Sequence, residues 1–304
     1  MADTVETVMS GTLQAILTST RASVELRKAA EPPGFMQRRI MSAGLPRPFF
    51  DAMTAGRPLF PNVNAAKPRI IAEIKRKSPS AGLIRPEYAG EDFDPGSIAR
   101  AYEAAGASAI SCLTERDYFD GHVSFLQRVK AACSLPVLRK DFIIDSWQLQ
   151  ESRANGADAV LLIAECLPGE QLRELAEEAQ QYWLGVLIES HDEHNFSRSL
   201  KVVEAINAYI IPDGPQEGKI TYGGALLGIN NRNLDTLEVD KDHCLRIAAG
   251  LSPSQRQLLV NESGVGSPGD IEKLEEAGVR GALVGEHLMR ASDPGLALAE
   301  LLAG

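Results

Sequence analysis

A carboxylate and an ammonium two residues apart on an extended strand project from the same face, and Glu73 and Lys75 close the apolar run Arg69–Lys75 in this way. If that face is a barrel interior, the two must pair or shift their pKa values; taken alone, they read as well as a structural ion pair. The placement recurs along the chain. Lys140 ends the run 136–140, Glu189 follows the apolar run 185–188, Asn230 with Arg232 just beyond ends 225–230, and Glu262 with Ser263 follows 257–261. A single lysine at a strand end is most simply a solvated one. A cationic acid and a carboxylate base facing one space are what proton-transfer chemistry requires.

Anion binding has a separate signature. Ser263–Gly264 and Gly285–Glu286 place small residues where backbone N–H groups can approach a ligand. Glu286 must then turn its own carboxylate away, and each glycine alone reads equally as an ordinary turn. The histidines His122, His191, His194, His243 and His287 show no HExxH or other ligand spacing, and His191 with His194 reads as a surface helix start, so no metal site is expected. Cys112 reads as core packing.

The elements that must position these groups are short apolar runs alternating with longer amphipathic ones from residue 69 to the end, the pattern of a parallel sheet with crossover helices. The expected strands are Arg69–Lys75, Ser108–Leu113, Pro136–Lys140, Ala159–Ile163, Gly185–Ile188, Ala225–Asn230, Gln257–Asn261 and Gly281–Val284. Helix starts are marked by Asp94–Pro95, by Ser267–Pro268 with Asp270 at the third position, and by Asp145 with Gln148, which predicts a capping box. Gly106, Gly156 and Gly278 read as left-handed residues that end helices just before a buried strand. Eight such units, with neither GxGxxG nor a P-loop after the first strand, predict an α/β fold closed as a (β/α)8 TIM barrel over residues 69–304. Residues 1–68 form an N-terminal helical extension, with a helix in Gly11–Ala30 and a further short one in an irregular stretch to residue 68, expected to pack across one mouth of the barrel. Pro86–Glu91 and Ile211–Gly224 read as loop insertions.

Composition narrows the partners. A formal charge of −10 disfavours nucleic acid and anionic membrane. The chain opens without a basic, then apolar leader, and no stretch of about 18 apolar residues argues a membrane span. The four cysteines are scattered without CxxC pairs, fitting a reducing compartment and a cytoplasmic location; a monomer acting on a small molecule is expected.

The segments IIAEIKRKSPSAGLIR (70–85), LTERDYFDG (113–121), LPVLRKDFIID (135–145), LIES (187–190), GINNRNLDTLEVD (228–240), NESGV (261–265) and ALVGEHLMR (282–290) resemble indole-3-glycerol phosphate synthases over the whole barrel, in family order. The resemblance implies cofactor-free conversion of 1-(2-carboxyphenylamino)-1-deoxyribulose 5-phosphate to indole-3-glycerol phosphate, carbon dioxide and water. It implies Lys140 as general acid, Glu189 as the carboxylate that handles protons during dehydration, and Glu73 with Lys75 as the first-strand pair, Lys75 being a candidate second acid. Asn230 and Glu262 would orient sugar hydroxyls and the lysines. Ser78 and Arg232 would hold the carboxylate end, Ser263, Gly264, Gly285 and Glu286 the phosphate, and Pro79, Phe119, Phe142 and Leu161 the aromatic ring. Two other readings of the same residues are a Schiff-base aldolase-type barrel and a non-catalytic phosphate-binding barrel.

Overall fold

The computed structural model describes residues 11–54, 67–90, 93–210, 220–233 and 236–303. Apolar runs such as Arg69–Ile74 and Ala159–Ile163 have almost no polar alternation, as strands buried on both faces require. They form β1 (Arg69–Ile74), β2 (Ala109–Leu113), β3 (Val137–Lys140), β4 (Ala159–Ile163), β5 (Gly185–Ser190), β6 (Ala225–Asn230), β7 (Leu259–Glu262) and β8 (Gly281–Val284). Every neighbouring pair is parallel and β1 pairs with both β2 and β8, so the sheet closes into an eight-stranded barrel. Two strand ends differ from expectation by two residues, and four others by one. β5 continues to Ser190, because Glu189 and Ser190 keep their register with Gly228 and Ile229. β7 begins only at Leu259, because Gln257 still caps the preceding helical turn.

Among the described residues, three helices precede the barrel: α1 (Gly11–Ala30), α2 (Phe35–Ser42) and α3 (Phe49–Thr54). Those alternating with its strands are α4 (Pro95–Ala104), α5 (Ser124–Ala132), α6 (Ser146–Ala154), α7 (Gln171–Gln181), α8 (Glu193–Ile210), α9 (His243–Ala249), α10 (Pro253–Arg256), α11 (Pro268–Glu276), α12 (Glu286–Arg290) and α13 (Pro294–Ala303). Asp94 caps α4 through the Gly96 N–H at 3.0 Å, and Ser267 caps α11 through the Asp270 N–H at 3.3 Å. Gly106, Gly156 and Gly278 have φ of +94°, +88° and +77°, the left-handed conformation expected of them. The capping box expected at α6 does not form. Asp145 accepts from Trp147 N–H, but the Gln148 side chain reaches past it to the Ile144 N–H and the Phe142 carbonyl, pinning the loop after β3 instead.

The N-terminal helices reach both mouths of the barrel rather than one. Thr12, Leu13 and Ile16 of α1 face the cavity at the carboxyl ends of the strands. α3 lies at the opposite end, where Phe49 and Phe50 pack against Gly185 at the start of β5 and Gly224 just before β6; a methyl group on either glycine would press into those rings. The segment Pro86–Glu91 also differs from the expected polar insertion within its described residues: Pro86–Tyr88 is a 3₁₀ turn whose Tyr88 is buried edge-on against Phe93, so an aromatic anchors the loop. Of Ile211–Gly224, residues 211–219 lie outside the described residues; Thr221 N–H bonds Asp51 of α3, placing this connection on the side away from the cavity. Among the described residues no helix is long and apolar enough to cross a membrane.

Candidate active site

Alternation along β3 divides its two basic residues. Arg139 turns outward between barrel and helices, fully buried, and pairs with Asp141 at 2.8 Å and Glu151 at 2.9 Å. Lys140 therefore turns inward at the end of the strand, where its Nζ donates to Glu189 Oε2 at 2.9 Å and Glu262 Oε2 at 2.6 Å. Glu189 comes from β5 and Glu262 from β7, so one ammonium joins three strands. Asn230 at the end of β6 extends the chain of contacts: its Nδ2 donates to Glu189 Oε1 at 2.8 Å, and its Oδ1 accepts from Ser263 Oγ at 2.8 Å and Arg232 N–H at 3.0 Å. Glu73 and Lys75 pair at 2.5 Å on the neighbouring side.

Two glycines make room for these carboxylates. A Cβ at Gly228 would stand 2.3 Å from Glu262 Oε1, and one at Gly285 would stand 2.2 Å from Glu73 Oε1. Gly228 was not singled out from sequence; its signal is a glycine inside an otherwise aliphatic strand, which marks close approach by another group.

All the residues proposed from the sequence line a single cavity of about 200 Å³ at the carboxyl ends of the strands. Glu73, Lys75, Lys140, Glu189, Asn230 and Glu262 form its polar floor; Pro79, Phe119, Phe142 and Leu161 form an apolar wall, with the two phenyl rings 6.3 Å apart. Ser78 lies beside that wall. At the far side, Ser263 and Gly264 are successive left-handed residues (φ +67° and +88°), making a tight turn opposite Gly285 and Glu286. The Glu286 carboxylate is drawn off by Arg232 at 3.1 Å and Arg290 at 2.9 Å, so it turns away while its backbone stays at the cavity edge. Arg232 is thereby held on the Ser263–Glu286 side, its other contact being the Leu237 carbonyl. A second hollow, of about 430 Å³ between α1 and the loop after β2, mixes Arg27 and Arg139 with Asp141 and Glu115; Arg27 and Arg139 both pair with Glu151, and Glu115 accepts three loop N–H groups. Its charges serve one another.

The electrostatics of the floor follow from burial and crowding. Burial alone would lower the Lys140 pKa, but Glu189 and Glu262 more than offset it and hold the ammonium well above the usual lysine range. Burial would raise Glu189, yet Lys140, then His191 and Asn230, keep it well below the ordinary carboxylate value. Glu262 goes the other way: burial, then the neighbouring Glu189 charge, push it up to about 8. Its Oε1 has no hydrogen-bond partner among the described residues. Two carboxylates sharing one cation thus separate, one ionised and one holding a proton near neutrality.

His191 departs from expectation. It lies before α8, which starts at Glu193, and its ring is buried between two carboxylates, Nδ1 at 3.2 Å from Glu165 and Nε2 at 3.2 Å from Glu189. His194 lies exposed on α8. The polar run after β5 looks like a surface helix start in sequence, because nothing local reveals that Glu165, 26 residues earlier, folds across it.

Comparison with known proteins supplies the family. The family model described as indole-3-glycerol phosphate synthase matches residues 13–210 and 215–301, leaving a gap inside the second expected insertion. A protein of Polaromonas naphthalenivorans named indole-3-glycerol phosphate synthase is 41% identical over 96% of this chain and 99% of its own length. One of the same name from Rhodospirillum rubrum is 40% identical over 97% and 100%, and one from Rhodopirellula baltica 46% identical over 77% and 80%. Among solved structures, a mutant tryptophan synthase alpha-subunit of Pyrococcus furiosus superposes with a TM-score of 0.54 at 12% identity, covering 79% of this chain and all of that one, which is a likeness of fold. With an eight-stranded barrel, a floor of lysines and carboxylates, and relatives matched from end to end, this chain belongs to the indole-3-glycerol phosphate synthase family.

Proposed function

We propose that the Lys140 cluster is the centre at which this chain performs the reaction of its family. The chain is a carbon–carbon carboxy-lyase of tryptophan biosynthesis. It converts 1-(2-carboxyphenylamino)-1-deoxyribulose 5-phosphate to indole-3-glycerol phosphate, carbon dioxide and water. The observation that carries the site assignment is the meeting of Lys140, Glu189 and Glu262 from three strands in a cavity that also holds Glu73–Lys75.

Ring closure joins the carboxylate-bearing aromatic carbon to the ribulose carbonyl carbon, and the oxygen that gains electrons needs a proton. Lys140 donates it as general acid, and its remaining ammonium character stabilises the charge before transfer. Loss of carbon dioxide leaves its bonding electrons in the ring. In the dehydration that follows, Lys75 protonates the departing hydroxyl while Glu189, ionised in the resting site, accepts the proton from the methylene carbon next to nitrogen. Two protons leave the lysines and one arrives at Glu189; the net proton consumed replaces the carboxylate lost as gas. Glu73 holds Lys75, and Asn230 and Glu262 orient Glu189 and Lys140. The apolar wall of Pro79, Phe119, Phe142 and Leu161 takes the aromatic ring and keeps water from the decarboxylating carbon. The turn at Ser263–Gly264 with Gly285–Glu286 takes the phosphate. Ser78 takes the carboxylate end, and Arg232 is available to either anionic group.

A Schiff-base mechanism needs a neutral amine, and the carboxylates around Lys140 hold it as ammonium, which disfavours that alternative. Appearance of indole fluorescence on adding the anthranilate-ribulose phosphate tests the reaction. Lys140→Ala and Glu189→Gln should each lower kcat roughly 10²- to 10⁴-fold; unchanged turnover in both would remove the role assignments.

A further inference from the structure

Glu189 is held on both oxygens. Oε2 receives Lys140, while Oε1 receives Asn230 Nδ2 at 2.8 Å and faces His191 Nε2 at 3.2 Å. Behind the imidazole, Nδ1 faces Glu165 Oε2 at 3.2 Å, and the other Glu165 oxygen accepts the His191 backbone N–H at 2.8 Å. The ring is thus clamped front and back, with side-chain exposures of 10% for His191, 6% for Glu165 and 4% for Glu189. Neither ring nitrogen makes an aligned hydrogen bond, so the contacts are ionic in kind. His191 and Glu165 both lie outside the residues that line the cavity, behind Glu189.

We propose that His191 is a positioning residue for the established family reaction: lodged between Glu165 and Glu189, it fixes the Glu189 carboxylate against rotation so that Oε2 faces Lys140 and the reacting carbon. The inference rests on the roles assigned above to Glu189. The carboxylate's terminal torsion is broad and two-fold; Lys140 and Asn230 each hold one oxygen by a hydrogen bond, and the imidazole adds an ionic hold on Oε1 from the side away from Lys140. Between two carboxylates the imidazole carries two N–H donors and a positive charge, which is the form it takes here: burial would lower its pKa, but Glu165 and then Glu189 raise it to about 10. The other charged groups nearby are Lys140 of β3, bonded to Glu189, Arg198 of α8, which binds the Ala164 and Leu167 carbonyls, and Arg21 of α1; the Cys166 thiol is kept neutral by burial.

The test compares His191→Ala, His191→Gln and Glu165→Gln in the fluorescence assay, with Glu189→Gln as control and circular dichroism to confirm folding. Partners that orient the ligands of a metal are worth roughly 10- to 100-fold, and on the same scale His191→Ala should lose that much kcat with KM within about threefold. His191→Gln, which keeps an N–H near the Nε2 position but no charge, should recover part of the loss. Both should move the acid limb of the kcat profile to higher pH, because removing a cation beside Glu189 makes it easier to protonate. Folded His191→Ala with wild-type kcat and an unmoved acid limb overturns the proposal; if that variant does not fold, an unmoved limb in His191→Gln and Glu165→Gln does so. Loss of activity only through KM also overturns it. Absence of turnover in the wild-type chain, or full activity in Glu189→Gln, would instead sink the underlying assignment.

Discussion

At the scale of residues, the site depends on carboxylates that are alike in sequence and unlike in charge. Glu189 is ionised and Glu262, pushed up to about 8, carries a proton near neutrality. Glutamine mimics the protonated form, so Glu262→Gln should differ little from wild type at pH 6 and fall behind as pH rises past 8, where the native side chain ionises; kcat measured at pH 6 and pH 9 checks this, and an equal loss at both would mean that ionised Glu262 works throughout. The space for Glu262 comes from Gly228. Gly228→Ala would put a methyl group onto its carboxylate, and displacement of a catalytic group by about 1 Å costs on the order of 10² in rate, so that loss in kcat is expected from a folded variant. The polar residues of the floor were legible in sequence because they interrupt apolar runs where a barrel core would otherwise continue. Gly228 and His191 were not: a glycine's reason for being there is its neighbour, and the partners of His191 come from segments far along the chain.

At the scale of elements, strands were legible because their apolar runs are continuous, and helix ends because Asp94, Ser267 and the left-handed glycines are local signals. The capping box at Asp145 is absent because the Gln148 side chain bonds the loop N–H one residue before the cap, at Ile144, and the Phe142 carbonyl. The N-terminal helices were the least legible part, since their apolar positions do not say which surface they meet. In the structure α1 borders the cavity and α3 closes the opposite mouth. These two roles can be separated experimentally. Phe50, fully buried in α3, should cost about 3–5 kcal/mol of stability on replacement by alanine, read as a lower denaturation midpoint in urea. Its kcat at 25 °C should stay near wild type, because the cluster of lysines and carboxylates proposed as the reaction centre lies at the other end of the strands; a comparable fall in kcat would show that the two mouths are mechanically linked.

At the scale of the whole molecule, the buried charges of the site leave a mark on stability as well as on rate. A group whose folded pKa exceeds its unfolded one binds a proton in the native state that the unfolded chain has released, so stability falls as pH rises between the two values. For His191 that window runs from the ordinary histidine value of 6.5 to about 10, and for Glu262 from 4.5 to about 8. Their stabilising contributions are complete below the lower limit and gone above the upper one. Carboxylates held low, such as Asp94, Asp270 and Glu286, act in the opposite sense, losing their contribution as pH falls. Between pH 7 and pH 9 these are ionised in both states and drop out, leaving His191, the upper part of the Glu262 window and, toward pH 9, the thiols of Cys112, Cys133, Cys166 and Cys244, which burial holds above the ordinary cysteine value. The thermal midpoint should therefore decline across this interval, and His191→Gln, which has no proton to lose there, should show a shallower decline than the wild type. Parallel slopes for the two proteins would mean that the imidazole is neutral in the folded chain, and that Glu189 is held by Lys140 and Asn230 alone.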